Sequence, residues 1–277
     1  VLAATAVLGV GGVWAEPAAD DPQELRSKLQ ALHWIKGPTT VTVGDNAHLR
    51  VPDDYVFLDV ANTAKFEEIL HNLGAGKEVM VAPKSLQWTA YLDFTAAGYV
   101  KDDEKIDAPA LLKTLKQNTD DANRERARRG WDPVHIVDWA TPPAYNPETR
   151  RLEWATLLES GNDRGVNFFT KILGRRGFTS VVLATDPADL STARGELETL
   201  VDGYSYDSGE SYADWRQGDK VAEYGLAALI VGGAAAVAAK KGLFSALFAF
   251  LVAGWKIVAA AMAGAIAWLR TRLRRRA

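Results

Sequence analysis

Apolar positions recur at helical or strand periods along most of this chain, and they divide it into elements before any single residue is weighed. Asp21 and Pro22 read as N-cap and first helical residue, Glu24 is placed to close a capping box, and Leu25, Leu29 and Leu32 follow at helical spacing until Gly37-Pro38. Thr40 to Val43 and His48 to Val51 alternate apolar and polar residues around Gly44-Asp45-Asn46, which predicts a hairpin. Phe66, Ile69, Leu70 and Leu73 form one helical stripe stopped by Gly74, and Val79 to Ala82 and Gln87 to Phe94 are strand-like. Asp107-Ala108-Pro109 opens a helix carrying Leu111, Leu112, Leu115 and Ala122, with Arg124, Arg126, Arg128 and Arg129 near its negative end before Gly130.

Four further strands are predicted over His135 to Thr141, Arg151 to Leu158, Val166 to Leu173 and Phe178 to Ala184. Their connectors hold Pro142-Pro143 with Asn146-Pro147, then Gly161-Asn162-Asp163, then Gly174-Arg175-Arg176-Gly177. The last two are short enough for hairpins, so the sheet reads as antiparallel. Asp186-Pro187 then caps a helix with Leu190, Ala193, Leu197, Leu200 and Val201 on one face, ended by Gly203. The fold class is α+β, an antiparallel sheet with helices packed on one side. Asp138-Trp139-Ala140-Thr141 and Glu153-Trp154-Ala155-Thr156 share an acid-Trp-Ala-Thr string, which reads as a duplicated half or as coincident β-propensity.

The two ends differ from this middle. Val1 to Val13 is uncharged and apolar, followed by Trp14, Ala15 and Glu16, as in the core and cleavage site of a secretory signal whose charged leader would lie upstream of Val1. A short buried helix or strand, or a retained membrane span, are the competing readings, although about fifteen residues are few for a span. From Val221 onward there are eight Lys and Arg against the single acid Glu223. Val221 to Ala239, then Lys240-Lys241, approaches the roughly twenty residues that cross a bilayer. Ala228, Gly232 and Ala236 recur four apart, a spacing that favours close helix packing in membranes. Leu243 to Leu269, with Trp255-Lys256 inside it and Trp268 near its end, reads as a second span or as an interfacial helix with Lys256 snorkelling. A second full crossing would return Arg270, Arg272, Arg274, Arg275 and Arg276 to the outside against the positive-inside rule. One crossing plus a segment lying in or re-entering the inner leaflet is therefore expected, with the Arg tail cytoplasmic. The domains read as a signal remnant over 1–15, a periplasmic α+β domain over 16–217, and a transmembrane or interfacial anchor over 218–277.

Removing the C-terminal part leaves 24 basic against 34 acidic residues, a net charge of −10. That balance excludes nucleic acid as the partner of the globular part and leaves the basic tail as its contact with membrane lipid. Cysteine is absent, which excludes disulfides, thiolate metal sites and cysteine nucleophiles.

Chemical motifs are sparse. Gly209-Glu210-Ser211-Tyr212-Ala213 departs from a nucleophile elbow at its last residue, and Gly74-Ala75-Gly76-Lys77 lacks the upstream glycine and following hydroxyl of a phosphate loop. His33, His48, His71 and His135 are scattered, with no pair at ligand spacing. Asp102, Asp103, Glu104 and Asp107 are the densest acids and would suit a hard cation, but Lys101 and Lys105 interleave them, as in a solvated loop leading to an N-cap. Asp138 and Glu153 on neighbouring strands are candidate paired carboxylates for glycoside chemistry, with Trp139 and Trp154 available to stack on a sugar. The alternative puts both Trp in the core and pairs the acids with Arg150, Arg151 or Lys171. Arg175 and Arg176 at a hairpin tip read as exposed and are the candidate partner contact, their forks suited to a carboxylate or phosphate. No cofactor is implied.

Four strings, Gly98-Tyr99-Val100-Lys101-Asp102-Asp103, Arg150-Arg151-Leu152-Glu153-Trp154-Ala155, Leu173-Gly174-Arg175-Arg176-Gly177 and the run from Gly218 to Ala228, resemble the bacterial "uncharacterized membrane-anchored protein" family built on domain of unknown function 2167. The resemblance runs from about Trp34 into the apolar C-terminal region. It implies an exported domain with a C-terminal anchor and brings no reaction, ligand or catalytic residue. The resulting expectation is an inner-membrane protein whose periplasmic domain binds an envelope protein or its own copies. A periplasmic glycan hydrolase and an accessory subunit of a transport or signalling complex are the alternatives.

Overall fold

The computed structural model describes residues 22–70, 76–128, 130 and 132–232. In chain order the helices are α1 (Pro22–Gln30), α2 (Val60–Ile69), α3 (Ala108–Arg128), α4 (Leu190–Val201) and α5 (Leu226–Val231). The strands are β1 (Ile35–Lys36), β2 (Thr39–Val43), β3 (Ala47–Val51), β4 (Tyr55–Leu58), β5 (Val79–Pro83), β6 (Thr89–Thr95), β7 (His135–Asn146), β8 (Arg151–Ser160), β9 (Asp163–Leu173), β10 (Phe178–Thr185) and β11 (Tyr204–Tyr206). Eight of them form one sheet in the order β1-β4-β5-β6-β10-β9-β8-β7, and β11-β3-β2 form a smaller one. Every pairing between these strands is antiparallel, as the short glycine turns at Gly161 and Gly174 to Gly177 predict. Helix starts follow side-chain capping: Asp59 Oδ1 accepts from the Asn62 amide at 2.8 Å before α2, and Asp107 Oδ1 from the Ala110 amide at 3.1 Å before α3.

The strand register assigns each core to a face. Val181 and Leu183 of β10, with Val79, Val81, Ala90 and Leu92, pack against Ala193, Leu197 and Leu200 of α4 and against the small sheet through Val43, Leu49 and Val51. The alternate residues Met80, Ala82, Tyr91 and Ala184 meet Leu25 and Leu29 of α1 and Phe66 of α2. Further along that second face, Leu152, Trp154 and Phe178 meet Leu111 and Leu115 of α3 and Leu226, Leu229 and Ile230 of α5. Helices therefore cover both faces, correcting the expectation of helices on one side. The reason lies in β5, where Val79 to Ala82 are all buried, so that neither parity of the strand is free to face water.

β7 continues through Pro142 and Pro143, where a connector was expected, with register shifts between Ile136 and Asp138, Trp139 and Thr141, and Thr141 and Ala144. Prolines are tolerated because β7 is the outer strand of the sheet and needs no donors on its free side. The two acid-Trp-Ala-Thr strings are cross-strand neighbours, Trp139 opposite Thr156 and Thr141 opposite Ala155, within one continuous sheet.

Residues 218–232, placed in the anchor by sequence, are packed into the domain. Val221 bridges Tyr99 in parallel, and Leu226, Leu229 and Ile230 are buried against α3. α5 spans Leu226 to Val231, and its C-cap Gly232 holds the left-handed conformation, φ 94°. Ala228 lies within α5 and Gly232 caps it, whereas Ala236 and Leu243 to Leu269 lie outside the described residues, as do Val1 to Val13, Leu73 and Gly74. Among the described residues, no helix is long and apolar enough to cross a membrane.

Candidate functional site

The four strings that carry the family resemblance meet at one end of the large sheet. The Gly98 amide donates to the Arg176 carbonyl at 2.9 Å, and the Tyr99 amide to the Lys220 carbonyl at 2.8 Å. The Ala222 amide returns a bond to the Tyr99 carbonyl at 2.9 Å, and Gly174 bridges Ser211. Gly98 has φ +94°, and a Cβ there would stand 2.8 Å from the Lys220 carbonyl oxygen, so the close approach of these two backbones requires glycine. Gly225 has a similar role, since a Cβ would strike the Glu104 carboxylate, which accepts from the Ala227 amide at 2.9 Å and so caps α5.

Asp102 is the polar centre of this end. Its Oδ2 accepts from the Tyr145 hydroxyl at 2.7 Å and from Arg150 Nη1 at 2.8 Å. Burial opposes ionisation of Asp102, but the hydrogen bond from Tyr145 and the Arg150 charge help outweigh it and hold the carboxyl below its ordinary range. Burial, reinforced by Asp102, pushes the Tyr145 hydroxyl up to about 12. Arg150 occupies a left-handed backbone position, φ 57°, which a non-glycine residue holds only under local constraint. Its guanidinium lies 5.1 Å from the Tyr212 ring centroid; Tyr212 stacks on Tyr99 at 4.4 Å, and Tyr99 meets Trp215 at 5.4 Å. Trp215 closes this stack at the surface, 41% exposed.

Arg175 and Arg176 are committed within the chain. Arg175 grips Asp219 with both arms of its fork, Nε to Oδ2 at 2.7 Å and Nη2 to Oδ1 at 2.8 Å, and donates through Nη1 to the Gly209 carbonyl at 3.1 Å. Hydrogen bonds from Arg175 and from the Arg216 amide hold the Asp219 carboxyl down at about 2. Arg176 pairs with Glu210. Arg176 is exposed as expected and Arg175 is half-buried, and their ion pairs tie the β9–β10 turn to the segment before α5. The partners lie far along the chain, 44 residues on in the case of Asp219.

The register sets Asp138 opposite Leu157 and Glu153 opposite Ala144, four positions apart along β8, or about 13 Å at strand rise. The two carboxyls take different partners. Glu153 is engaged by Arg194 of α4 at 3.1 Å and Thr170 at 3.4 Å, and Asp138 Oδ1 accepts from the Trp139 amide at 2.7 Å. Trp154 is buried and stacked on Phe169 at 4.9 Å, while Trp139 is half-buried and donates to the Ala108 carbonyl at 3.2 Å. Of the acids considered for a cation, Asp102, Glu104 and Asp107 diverge to Arg150, α5 and α3, and no group of three or more metal-ligating side chains converges among the described residues. His48 pairs with Asp207 at 3.0 Å, His33 and His135 stand apart from it on α1's exit and on β7, and His71 lies outside the described residues.

One buried carboxyl escaped the sequence reading. Glu67 of α2 is 2% exposed, with Oε1 making no hydrogen bond, and burial followed by the nearby Glu78 raises its carboxyl to about 8. Lys171 of β9 lies on the sheet face opposite Glu153, which rules out the pairing considered for it. The available signal was the position of Glu67 on the apolar stripe beside Phe66 and Leu70, with the neighbouring Glu68 free to face out.

No curated protein sequence matches the chain. The solution structure of cyanobacterial PsbP (CyanoP) from Synechocystis sp. PCC 6803 is similar at a TM-score of 0.36 and 8% identity, over 63% of this chain and 91% of that one, a level that bears on neither partner nor activity. The family model described as "Protein of unknown function (DUF2167)" matches residues 35–264, a span that includes all four strings, and the chain belongs to that family.

Proposed function

We propose that this chain is a membrane-anchored bacterial envelope protein whose α+β domain faces the periplasm and binds another envelope protein or a second copy of itself. The apolar stretches beyond Gly232 supply the anchor, the Arg270 to Arg276 tail holds the anionic inner leaflet from the cytoplasmic side, and Val1 to Val13 directs export. The observation that carries the binding role is the Arg150–Tyr212–Tyr99–Trp215 stack. A rigid column of Arg and aromatic rings ending in an exposed Trp is the composition of an interface hot spot, with little side-chain entropy left to lose on contact.

The test is site-specific photo-crosslinking in cells expressing the full chain. A benzophenone amino acid at Trp215 should give one recurrent adduct in the membrane fraction, with an envelope protein or with the chain itself. The same group at Val60, equally exposed at 39%, should give none. Equal adducts at both positions, or none at Trp215, would remove the support for this surface.

A further inference from the structure

β7 is the outer strand of the large sheet, and none of its 12 residues is buried, whereas β8 beside it buries Leu152, Trp154 and Leu158. On its free side no strand pairs with it among the described residues. Prolines and bulges commonly guard such an edge. Here Pro142 and Pro143 remove donors from the second half only, and the register shifts in the first half leave Val137 and Ala140 outside the β8 ladder. The first half, His135 to Thr141, therefore keeps its amides and runs beside α3. Two ties fix that helix to it. Trp139 Nε1 donates to the Ala108 carbonyl at 3.2 Å at the start of α3. Farther along, Asn123 Nδ2 donates to the Val134 carbonyl at 2.8 Å, and the Val134 amide returns a bond to Asn123 Oδ1 at 2.9 Å. Between the ties lies an open groove of about 430 Å³, a size in the range of ligand sites, lined by Leu112, Lys113, Lys116 and Asp120 of α3 and by His135 and Ile136 of β7. Leu112 and Ile136 are half-buried and supply apolar walls. Lys113 and Lys116 are exposed and hold no ion pair among the described residues, and Asp120 is the one acid in the lining. On a globular part of net charge −10, the groove is a basic exception.

We propose that the groove between α3 and β7 is a docking site for an extended, acidic polypeptide segment, which adds to the free edge of His135 to Thr141 and directs acidic side chains to Lys113 and Lys116. This goes beyond the surface around Trp215 and does not depend on the anchor. A strand placed beside β7 lies about 4.8 Å away and sends alternate side chains toward α3. There its apolar groups meet Leu112 and Ile136, and its carboxylates meet the two lysines. Main-chain bonds to β7 supply affinity irrespective of sequence, and the lysines select for acid. The ties at Ala108 and Val134 hold both walls in place before contact, so little order has to be gained on binding. A second copy of β7 is a poorer occupant, because His135 to Thr141 offers the single acid Asp138 and a histidine.

The experiment offers a random library of short linear peptides to the full chain in detergent. Enriched peptides should carry Asp or Glu at alternate positions between apolar residues, and a synthetic copy of the most enriched one should bind less tightly as salt is raised. Lys113→Glu combined with Lys116→Glu, both at exposed positions, should weaken that peptide about 10-fold or more, whereas Lys113→Arg with Lys116→Arg should preserve its binding. N-methylation of alternate peptide residues should abolish binding for one parity and spare it for the other, the mark of strand addition, and this readout needs only the wild-type chain. The crosslink at Trp215 is read independently, so failure of one surface leaves the other standing. No enrichment, enriched peptides without acids, equal affinity for the charge-reversed variant, or indifference to N-methylation would each overturn the proposal. Tighter binding of a synthetic peptide of His135 to Thr141 would also overturn it, by assigning the edge to a second copy of the chain.

Discussion

Replacing Glu67 with Gln should flatten the fall of stability with rising pH. In the folded chain the Glu67 carboxyl is buried beside Glu78 and titrates near 8, against 4.5 for the ordinary group. Its folded pKa is thus raised, so between these values the folded state keeps a proton that the unfolded state has released. Stability is full below pH 4.5, declines as pH rises through the window and levels off above about 8. A difference of about 3.5 pH units corresponds to about 5 kcal/mol across the window. Glu67→Gln copies the neutral acid in shape and carries no proton to lose. Wild type and variant should therefore unfold at similar urea concentrations at pH 5, while at pH 8 the variant should be more stable by several kcal/mol, about 5 at most. Lys171 acts in the opposite sense, because its folded pKa is depressed: stability rises between about 8 and 10.5, outside this window. The measurement is equilibrium urea unfolding of both proteins in detergent at half-unit intervals from pH 5 to 8. A difference between the two that stays constant over that range would refute a neutral, buried Glu67.

Trp154→Ala should cost about 3 to 5 kcal/mol in urea unfolding, because the ring is buried and stacked on Phe169; Trp139→Ala, at a half-buried position, should cost roughly 2 kcal/mol, and equal losses would contradict the two burials. Leu229→Ala should destabilise the domain by about 2 to 4 kcal/mol, whereas a residue serving only a membrane anchor would leave domain unfolding unchanged. Arg175→Ser should lower the melting temperature and loosen the 207–221 segment to proteolysis; an unaltered melt and digestion pattern would return Arg175 to the role of a free partner contact.

Local signals were read well where turn chemistry and alternation agree. The β8–β9 and β9–β10 hairpins follow from Gly161 and from Gly174 to Gly177, and α4 from its stripe of Leu190, Ala193, Leu197 and Leu200. β7 was cut short because Pro142 and Pro143 normally end a strand, and only its place at the sheet edge permits them. β1, β4 and β11 are too short to show a period. α5 was assigned to the membrane because Leu226 to Val231 has the same composition whether lipid or the core of a domain receives it. The candidate site was legible as four strings, but not as one place, since its bonds join residues tens of positions apart, such as Arg150 to Asp102 and Arg175 to Asp219. Asp138 and Glu153 lie on adjacent strands as expected, yet register shifts along β7 set their actual separation, and no local pattern encodes those.

The central claim, an anchored domain in the periplasm, is tested most directly by topology. A reporter active only in the periplasm would be placed in the exposed β7–β8 turn at Glu148 and, in a separate fusion, after Ala277, with a cytoplasm-only reporter at the same two positions. Periplasmic activity is expected at Glu148 and cytoplasmic activity after Ala277. Periplasmic activity at both would mean that the apolar C-terminal region crosses twice and carries its arginines outside. Cytoplasmic activity at Glu148 would contradict export of the domain altogether.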